Sequence, residues 1–263
     1  VVQNVPGAGS TIGTSRAVQA APDGYTLIVG NWTSHVGAGA VYPVKWHPVT
    51  DLEPISVLAT TTLVIAGRGG FAPSNGKELV AWLKANPDQA TMATVGAGSG
   101  AHICGIYFEQ KTGTKMRYVP YKGGAPVMAD LMANQVDLFC GEASQMLGHF
   151  KSGKIKPLVV MSRSRWRPMP DIATMEEAGA SDTYINFWQG MWAPRGTPRP
   201  IINKLADAVA RAFNDPAVIK RLGELGQDIP PREQMGPKAL AAYHKSEIDK
   251  WWPLIKSAGI KAE

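Results

Sequence analysis

Charge is thin in this chain, and cysteine nearly absent. Only 18% of the 263 residues are charged, and Cys104 and Cys140 are the sole thiols. Neither cysteine lies in a C-x-x-C pair, so a cysteine zinc site is excluded. A disulfide and two buried free thiols both remain open readings. The five histidines, His35, His47, His102, His149 and His244, show no H-E-x-x-H or similar ligand spacing, and no metal is expected. No apolar run approaches the ~20 residues of a membrane-spanning helix, and no low-complexity tract is present. No leader peptide is visible. Val1 to Val5 already read as a strand, so the true start of the protein is expected upstream.

What is present suits a globular α/β protein. The apolar share is 44%, and the formal charge is +6. Nucleic-acid binding needs basic residues gathered on one face with aromatics among them. The densest run here, Arg163-Ser164-Arg165-Trp166-Arg167, is short and is followed by Pro168 and Pro170, as in a surface loop. The positive charge is read as solubility and mild attraction for anions, with no nucleic-acid partner.

Strand and helix signals alternate along most of the chain. Tyr25 to Gly30, Ile55 to Leu58, Leu63 to Ala66, Thr91 to Val95, Met116 to Val119, Val136 to Cys140 and Lys156 to Ser162 read as strands. Helices are expected over 11–21, 77–85, 101–112 and 126–133. Near the C-terminus, Ile201, Leu205, Val209 and Phe213 recur every fourth residue as an amphipathic stripe. Asp215-Pro216 forms an N-cap followed by proline at the first helical position. A last helix opens at Pro237, with Leu240, Tyr243, Ile248, Trp251 and Ile255 inward. Trp192, Trp251 and Trp252 read as core. Such alternation implies parallel or mixed sheets flanked by helices, with ligands beyond the carboxyl ends of the strands.

Four segments there could carry chemistry. Gly96 to His102 follows a strand and opens a helix. Its glycines let the backbone approach a ligand, and first-turn amides favour an anion. Gly98, Ser99, Gly100, Ala101 and His102 are its candidate contacts. Tyr121, Lys122, Gly123 and Gly124 repeat the design. Asn31, Trp32, Thr33, Ser34 and His35 form a polar segment after the Tyr25 strand, where Trp32 reads either as a ligand wall or as packing. Glu142 and Ser144 belong to the fourth, Gly141 to Gln145.

Catalytic patterns fail. The 96–101 segment fits a loose G-x-G-x-x-A, but Pro120-Tyr121-Lys122 offers no carboxylate for a ribose, so no nucleotide cofactor is expected. Ser99 lacks the G-x-S-x-G frame. Gly148 to Lys154 mimics a P-loop, yet Ile155 stands where Ser or Thr is needed. Donor-rich turns with few acids or bases fit binding better than turnover.

Taken in order, many segments resemble one family. They include Val1-Val2-Gln3-Asn4-Val5-Pro6-Gly7-Ala8-Gly9, Ala21-Pro22-Asp23-Gly24-Tyr25-Thr26-Leu27, Asp51-Leu52-Glu53-Pro54-Ile55-Ser56, the Gly96 to His102 turn and Val119-Pro120-Tyr121-Lys122-Gly123-Gly124. Gln135-Val136-Asp137-Leu138, Met169-Pro170-Asp171-Ile172-Ala173-Thr174, Glu177-Ala178-Gly179, Ala193-Pro194-Arg195-Gly196-Thr197-Pro198 and Lys256-Ser257-Ala258-Gly259-Ile260-Lys261 complete the set. The chain is similar to the substrate-binding receptors of tripartite tricarboxylate transporters, the Bug receptors.

The resemblance implies a two-lobed periplasmic binding protein, type II-like, with a parallel or mixed sheet in each lobe. One lobe would be 1–71 with 186–263, the other 72–185. It implies a periplasmic, monomeric receptor that closes on a small carboxylate and hands it to membrane permease subunits. Trp32 and Trp188 favour an aromatic acid over citrate. Family members usually begin with a further strand, ligand loop and helix before the segment matching Val1. An enzyme acting on carboxylates, using His102 near Ser144, and a sensory module are the rival readings.

Overall fold

The computed structural model describes residues 1–5, 7–180 and 184–260. A 3-10 turn (Ala8–Ser10) leads into α1 (Thr11–Val18), β1 (Ile28–Asn31), a π-helical turn (Thr33–Gly37), α2 (Ala38–Val41) and the long strand β2 (Leu52–Arg68). Then come α3 (Gly76–Ala85), β3 (Thr91–Thr94), α4 (Gly100–Thr112), β4 (Arg117–Pro120), α5 (Gly124–Met132), β5 (Leu138–Glu142), α6 (Ala143–Lys151) and β6 (Ile155–Val160). The chain continues through β7 (Asn186–Pro194), α7 (Arg199–Ala212), α8 (Pro216–Glu224) and α9 (Pro237–Ser257).

The chain divides into two compact units. Unit 1 comprises Val1–Thr60 and Trp188–Glu263, and unit 2 is Thr61–Phe187. This places residues 61–71, and 186–187, in unit 2 rather than in the first lobe. The reason is pairing: Leu63 to Gly67 bond antiparallel to β5, and Val64 to Arg68 bond to β6. The two strands expected at 55–58 and 63–66 are one, β2. Thr60, Thr61 and Thr62 between them are β-branched, and nothing there breaks an extended backbone.

Unit 2 carries a mixed sheet. β3 pairs parallel with both β4 and β5, while β2 runs antiparallel to β5 and β6. Its core gathers Val64, Ala93, Val127, Leu131, Phe139, Met146, Phe150 and Trp166. At the amino ends of β3 and β5, Asp137 takes Arg68 Nε at 2.8 Å and both the N–H and hydroxyl of Thr91. Burial works against ionising Asp137, but these donors outweigh it and hold the carboxyl below the usual range. Cys104 on α4 and Cys140 on β5 form a disulfide with Cα atoms 6.3 Å apart, so the free-thiol reading is withdrawn.

Unit 1 pairs β1 antiparallel with β7, and β7 neighbours β2. Its interior is aromatic. Trp32, Trp188, Trp192 and Trp251 are all fully buried, while Trp252 is half-buried and donates Nε1 to Val36 O at 3.0 Å. α9 delivers Leu240, Ile248, Trp251 and Ile255 to this core as its periodicity requires, with Tyr243 only half-buried. The stripe of Ile201, Leu205 and Val209 on α7, with Phe213 just past its end, is half-buried, and Ile202 beside it is fully buried. Val1 to Val5 form no strand; without a neighbouring ladder, Val1 and Val2 stay exposed.

Candidate functional site

The glycine turns of unit 2 sit at the carboxyl ends of β3, β4 and β5. After β3, Gly96 and Gly98 adopt φ of +106° and +70°, which side chains with a Cβ resist. That winding sets Ser99 as the N-cap of α4, where its hydroxyl oxygen accepts from His102 N at 3.3 Å. A serine hydroxyl that accepts at a cap still carries a proton to donate. Gly98 N donates to His102 Nδ1 at 3.4 Å, closing the turn. Gly98, Ser99, Gly100 and Ala101 are buried, while His102 is half-buried.

The next turn is fastened to the first. Tyr121 N donates to Thr94 O at 2.9 Å. Gly123, at φ +157°, caps α5 without any side-chain acceptor. Pro126 lacks an N–H and is tolerated in a first turn. The backbone donors of the first turn of α5 therefore have no capping side chain, and the helix dipole makes them favour negative charge. The Tyr121 hydroxyl is committed to Asp130 at 2.7 Å; burial and that carboxylate push the phenol up to about 12. Lys122 is exposed.

The third turn closes on the second. A methyl group built on Gly124 would stand 3.8 Å from Gln145 Oε1. Gln145 Nε2 donates to Glu142 Oε1 at 3.1 Å. Ser144 is half-buried in the first turn of α6. Unit 2 thus gathers Gly98, Ser99, Gly100, Ala101, His102, Tyr121, Lys122, Gly123, Gly124, Glu142 and Ser144 at one end of its sheet.

The polar segment of unit 1 behaves differently. It is not an open loop but helical from Thr33 to Val41. Asn31 and Ser34 bind each other: Asn31 N donates to Ser34 Oγ at 2.9 Å, and Ser34 N donates to Asn31 Oδ1 at 3.1 Å. Ser34 Oγ also contacts His35 Nδ1 at 2.9 Å. His35 stacks on Trp192 at 3.9 Å, and Trp32 meets Trp251 edge-on at 5.4 Å. Trp188 donates Nε1 to Glu247 at 3.3 Å and lies against His244 and Tyr243. Trp32, Ser34, His35 and Trp188 are all buried, and Trp32 packs on Trp251. Asn31 and Thr33 are half-buried.

Two residues of that interior were passed over in the sequence, His244 and Glu247. Both lie on the face of α9 marked by Leu240, four and seven residues on, which is the signal that could have found them. Burial, and then His244, hold the His35 imidazole well below its ordinary range. Burial lowers His244 to about 4, although its Nε2 hydrogen-bonds to His35 O at 2.8 Å. Burial raises the Glu247 carboxyl, and the Trp188 indole offsets part of that.

Elsewhere on unit 2, a cleft of about 470 Å³ is lined by Asn75, Lys77, Arg165, Ala173 and Glu177. It includes none of the glycine turns, and Arg165 there already pairs with Glu177 at 2.8 Å. Among the described residues no three His, Cys, Asp or Glu side chains group as a metal site.

A family model described as the tripartite tricarboxylate transporter family receptor matches residues 1–260. The chain belongs to this family. It is a family of solute-binding receptors, not of enzymes. A protein from the TAR-I ttuE-ttuC' intergenic region of Agrobacterium vitis is 32% identical over 98% of this chain and 75% of its own length. The periplasmic binding protein BugD superposes with a TM-score of 0.91 at 36% identity, covering 100% of this chain and 88% of that one. MatC of Rhodopseudomonas palustris, solved with bound malate, gives 0.87 at 32% identity over 95% and 85% of the two chains. An R. palustris protein solved with adipate gives 0.91 at 28% identity over 99% and 87%. The fold is accordingly that of periplasmic binding proteins. No helix among the described residues is long and apolar enough to cross a membrane.

Proposed function

We propose that the chain is a periplasmic receptor for a small aliphatic di- or tricarboxylate, which it delivers to the permease subunits of a tripartite tricarboxylate transporter. Its site on unit 2 is the cluster of glycine turns. The observation that carries this reading is the first turn of α5. It follows Gly123, which caps it with no side chain, beside the Ser99 turn, so backbone donors are available for a carboxylate. Gly98, Ser99, Gly100 and His102 supply one side of the cradle. Gly123 and Gly124 supply the other, and Glu142 and Ser144 orient a ligand hydroxyl. Lys122 adds attraction at longer range.

Family membership supports the receptor role, and relatives solved with malate and adipate support the ligand class. Trp32 and Trp188 were the reason to favour an aromatic acid. Both are buried among unit 1 side chains, which supports an aliphatic ligand over an aromatic one. Hydrogen bonds to a charged group contribute about 1.5–3 kcal/mol each. Four of them at the upper end of that range give about 12 kcal/mol, which less about 4 kcal/mol for lost freedom reaches the ~8 kcal/mol of micromolar binding. Calorimetric titration with malate, adipate, citrate and benzoate tests the reading. Micromolar or tighter binding of an aliphatic acid, with benzoate far weaker, is expected. Silence across the whole set would refute it.

A further inference from the structure

The disulfide lies in a telling place. Cys104 is in the second turn of α4, two residues beyond His102, and Cys140 is two residues before Glu142 at the end of β5. Both are fully buried. The two are 36 positions apart in sequence, and the chain between them contains the Tyr121–Gly124 turn. Every one of the three turns gathered at the end of the unit 2 sheet is therefore either within this loop or a few residues outside it.

The turns are otherwise held by hydrogen bonds, among them Tyr121 N to Thr94 O and Ile103 N to Ser99 O, both 2.9 Å. Within the Ser99 turn, three of the hydrogen bonds are 3.2 to 3.4 Å long, from Ser99 N to Gly96 O, from His102 N to Ser99 Oγ and from Gly98 N to His102 Nδ1. Glycine backbones bring no side chains to pack. The amino end of the same sheet is held differently, by the Arg68–Asp137–Thr91 network. A covalent tie is thus placed at the end where glycine leaves the backbone least constrained.

Resting on the receptor reading above, we infer that the Cys104–Cys140 disulfide positions the carboxylate turns of unit 2, fixing the start of α4 against the end of β5 so that the donors of both face one ligand. These cysteines touch no ligand; they are positioning residues. A donor cluster pre-organised in this way binds more tightly because less ordering remains to be done on binding.

The test compares the intact protein with the Cys104→Ala/Cys140→Ala pair, using malate and adipate as probes. Affinity is read by calorimetry at 15 °C, below both melting transitions, and amide exchange is read segment by segment. The expected result is a tenfold or greater loss of affinity. With it, exchange should quicken at least tenfold at 96–102, 121–124 and 141–145, with α9 unchanged. Unchanged affinity and unchanged turn exchange alongside a lower melting temperature would overturn the inference, leaving a simple staple. Should the alanine pair not fold, Cys104→Val/Cys140→Ala fills the space and serves for the same readings. Binding of neither probe by the intact protein would count against the receptor reading. The exchange measurement still decides on the positioning by itself, since it needs no ligand.

Discussion

Unit 1 and unit 2 each place a polar segment after a strand, and the two segments have opposite fates. In unit 1, Asn31 and Ser34 spend their hydrogen bonds on each other while Trp32 and His35 are sealed among tryptophans. In unit 2, glycines keep side chains away and α5 starts without a capping side chain. The contrast teaches that a polar run after a strand does not by itself leave polar groups open to a ligand. What decides is whether large neighbours cover it or the backbone is left bare.

The largest effect should come from breaking the sealed side. Trp192→Ala removes the ring stacked on His35 and should cost about 3–5 kcal/mol of stability in unit 1. Denaturant unfolding followed by tryptophan fluorescence measures it, and a loss under 1 kcal/mol would mean that the aromatic interior is not the support of that unit.

Acid should distinguish the units next. The folded-state pKa values of His35 and His244 lie below the ordinary 6.5. Below that pH the unfolded chain takes up protons that the folded chain refuses, so stability present at neutral pH is lost as pH falls from 6.5 toward 4. The His244 share is on the order of 3 kcal/mol. Glu247, whose carboxyl is raised, acts in the opposite sense at the acid end of this range. His244→Gln should flatten the pH profile of unit 1 between 6.5 and 4, and an unaltered slope would contradict the burial of a neutral imidazole.

A pair of serine variants sharpens the comparison further. Ser99→Ala should weaken dicarboxylate binding tenfold or more, about 1.4 kcal/mol, and remove an N-cap worth about 1 kcal/mol. Ser34→Ala leaves Asn31 N without its acceptor and should cost about 1–3 kcal/mol of stability, with affinity within twofold. Equal losses of affinity in the two variants would erase the distinction drawn between the units.

The smallest effect is expected at Gly124→Ala. The added methyl meets only Gln145 Oε1 at ordinary contact distance, and alanine favours a helix by up to about 1 kcal/mol. Stability should hold or rise slightly while dicarboxylate affinity falls a few-fold, because the methyl stands where a ligand would approach the amides. Calorimetry alongside a melting curve reads both.

Some of this was written locally in the chain, and the sequence reading found it. The Gly96 to His102 turn, Ser99 before a helix and Asp215-Pro216 opening another are decided by neighbours within three or four residues. Asp215 Oδ1 indeed accepts from Ala217 N at 2.8 Å. Other features depended on partners far away. Leu63 to Arg68 fall to unit 2 because β5 and β6 pair with them, and nothing within 61–71 announces those partners. The burial of His244 and Glu247 was not foreseen because titratable residues on a helical stripe usually face water.

By itself, then, the amino-acid order determined the alternation of strands and helices, the glycine turns at strand ends and the caps, since those follow from backbone sterics and short-range hydrogen bonds. Tertiary structure alone decided that Cys104 joins Cys140, 36 positions away, and that Trp32, Ser34 and His35 lie inside. Those outcomes turn on which distant surfaces meet and exclude water, a free energy that no short stretch of sequence carries.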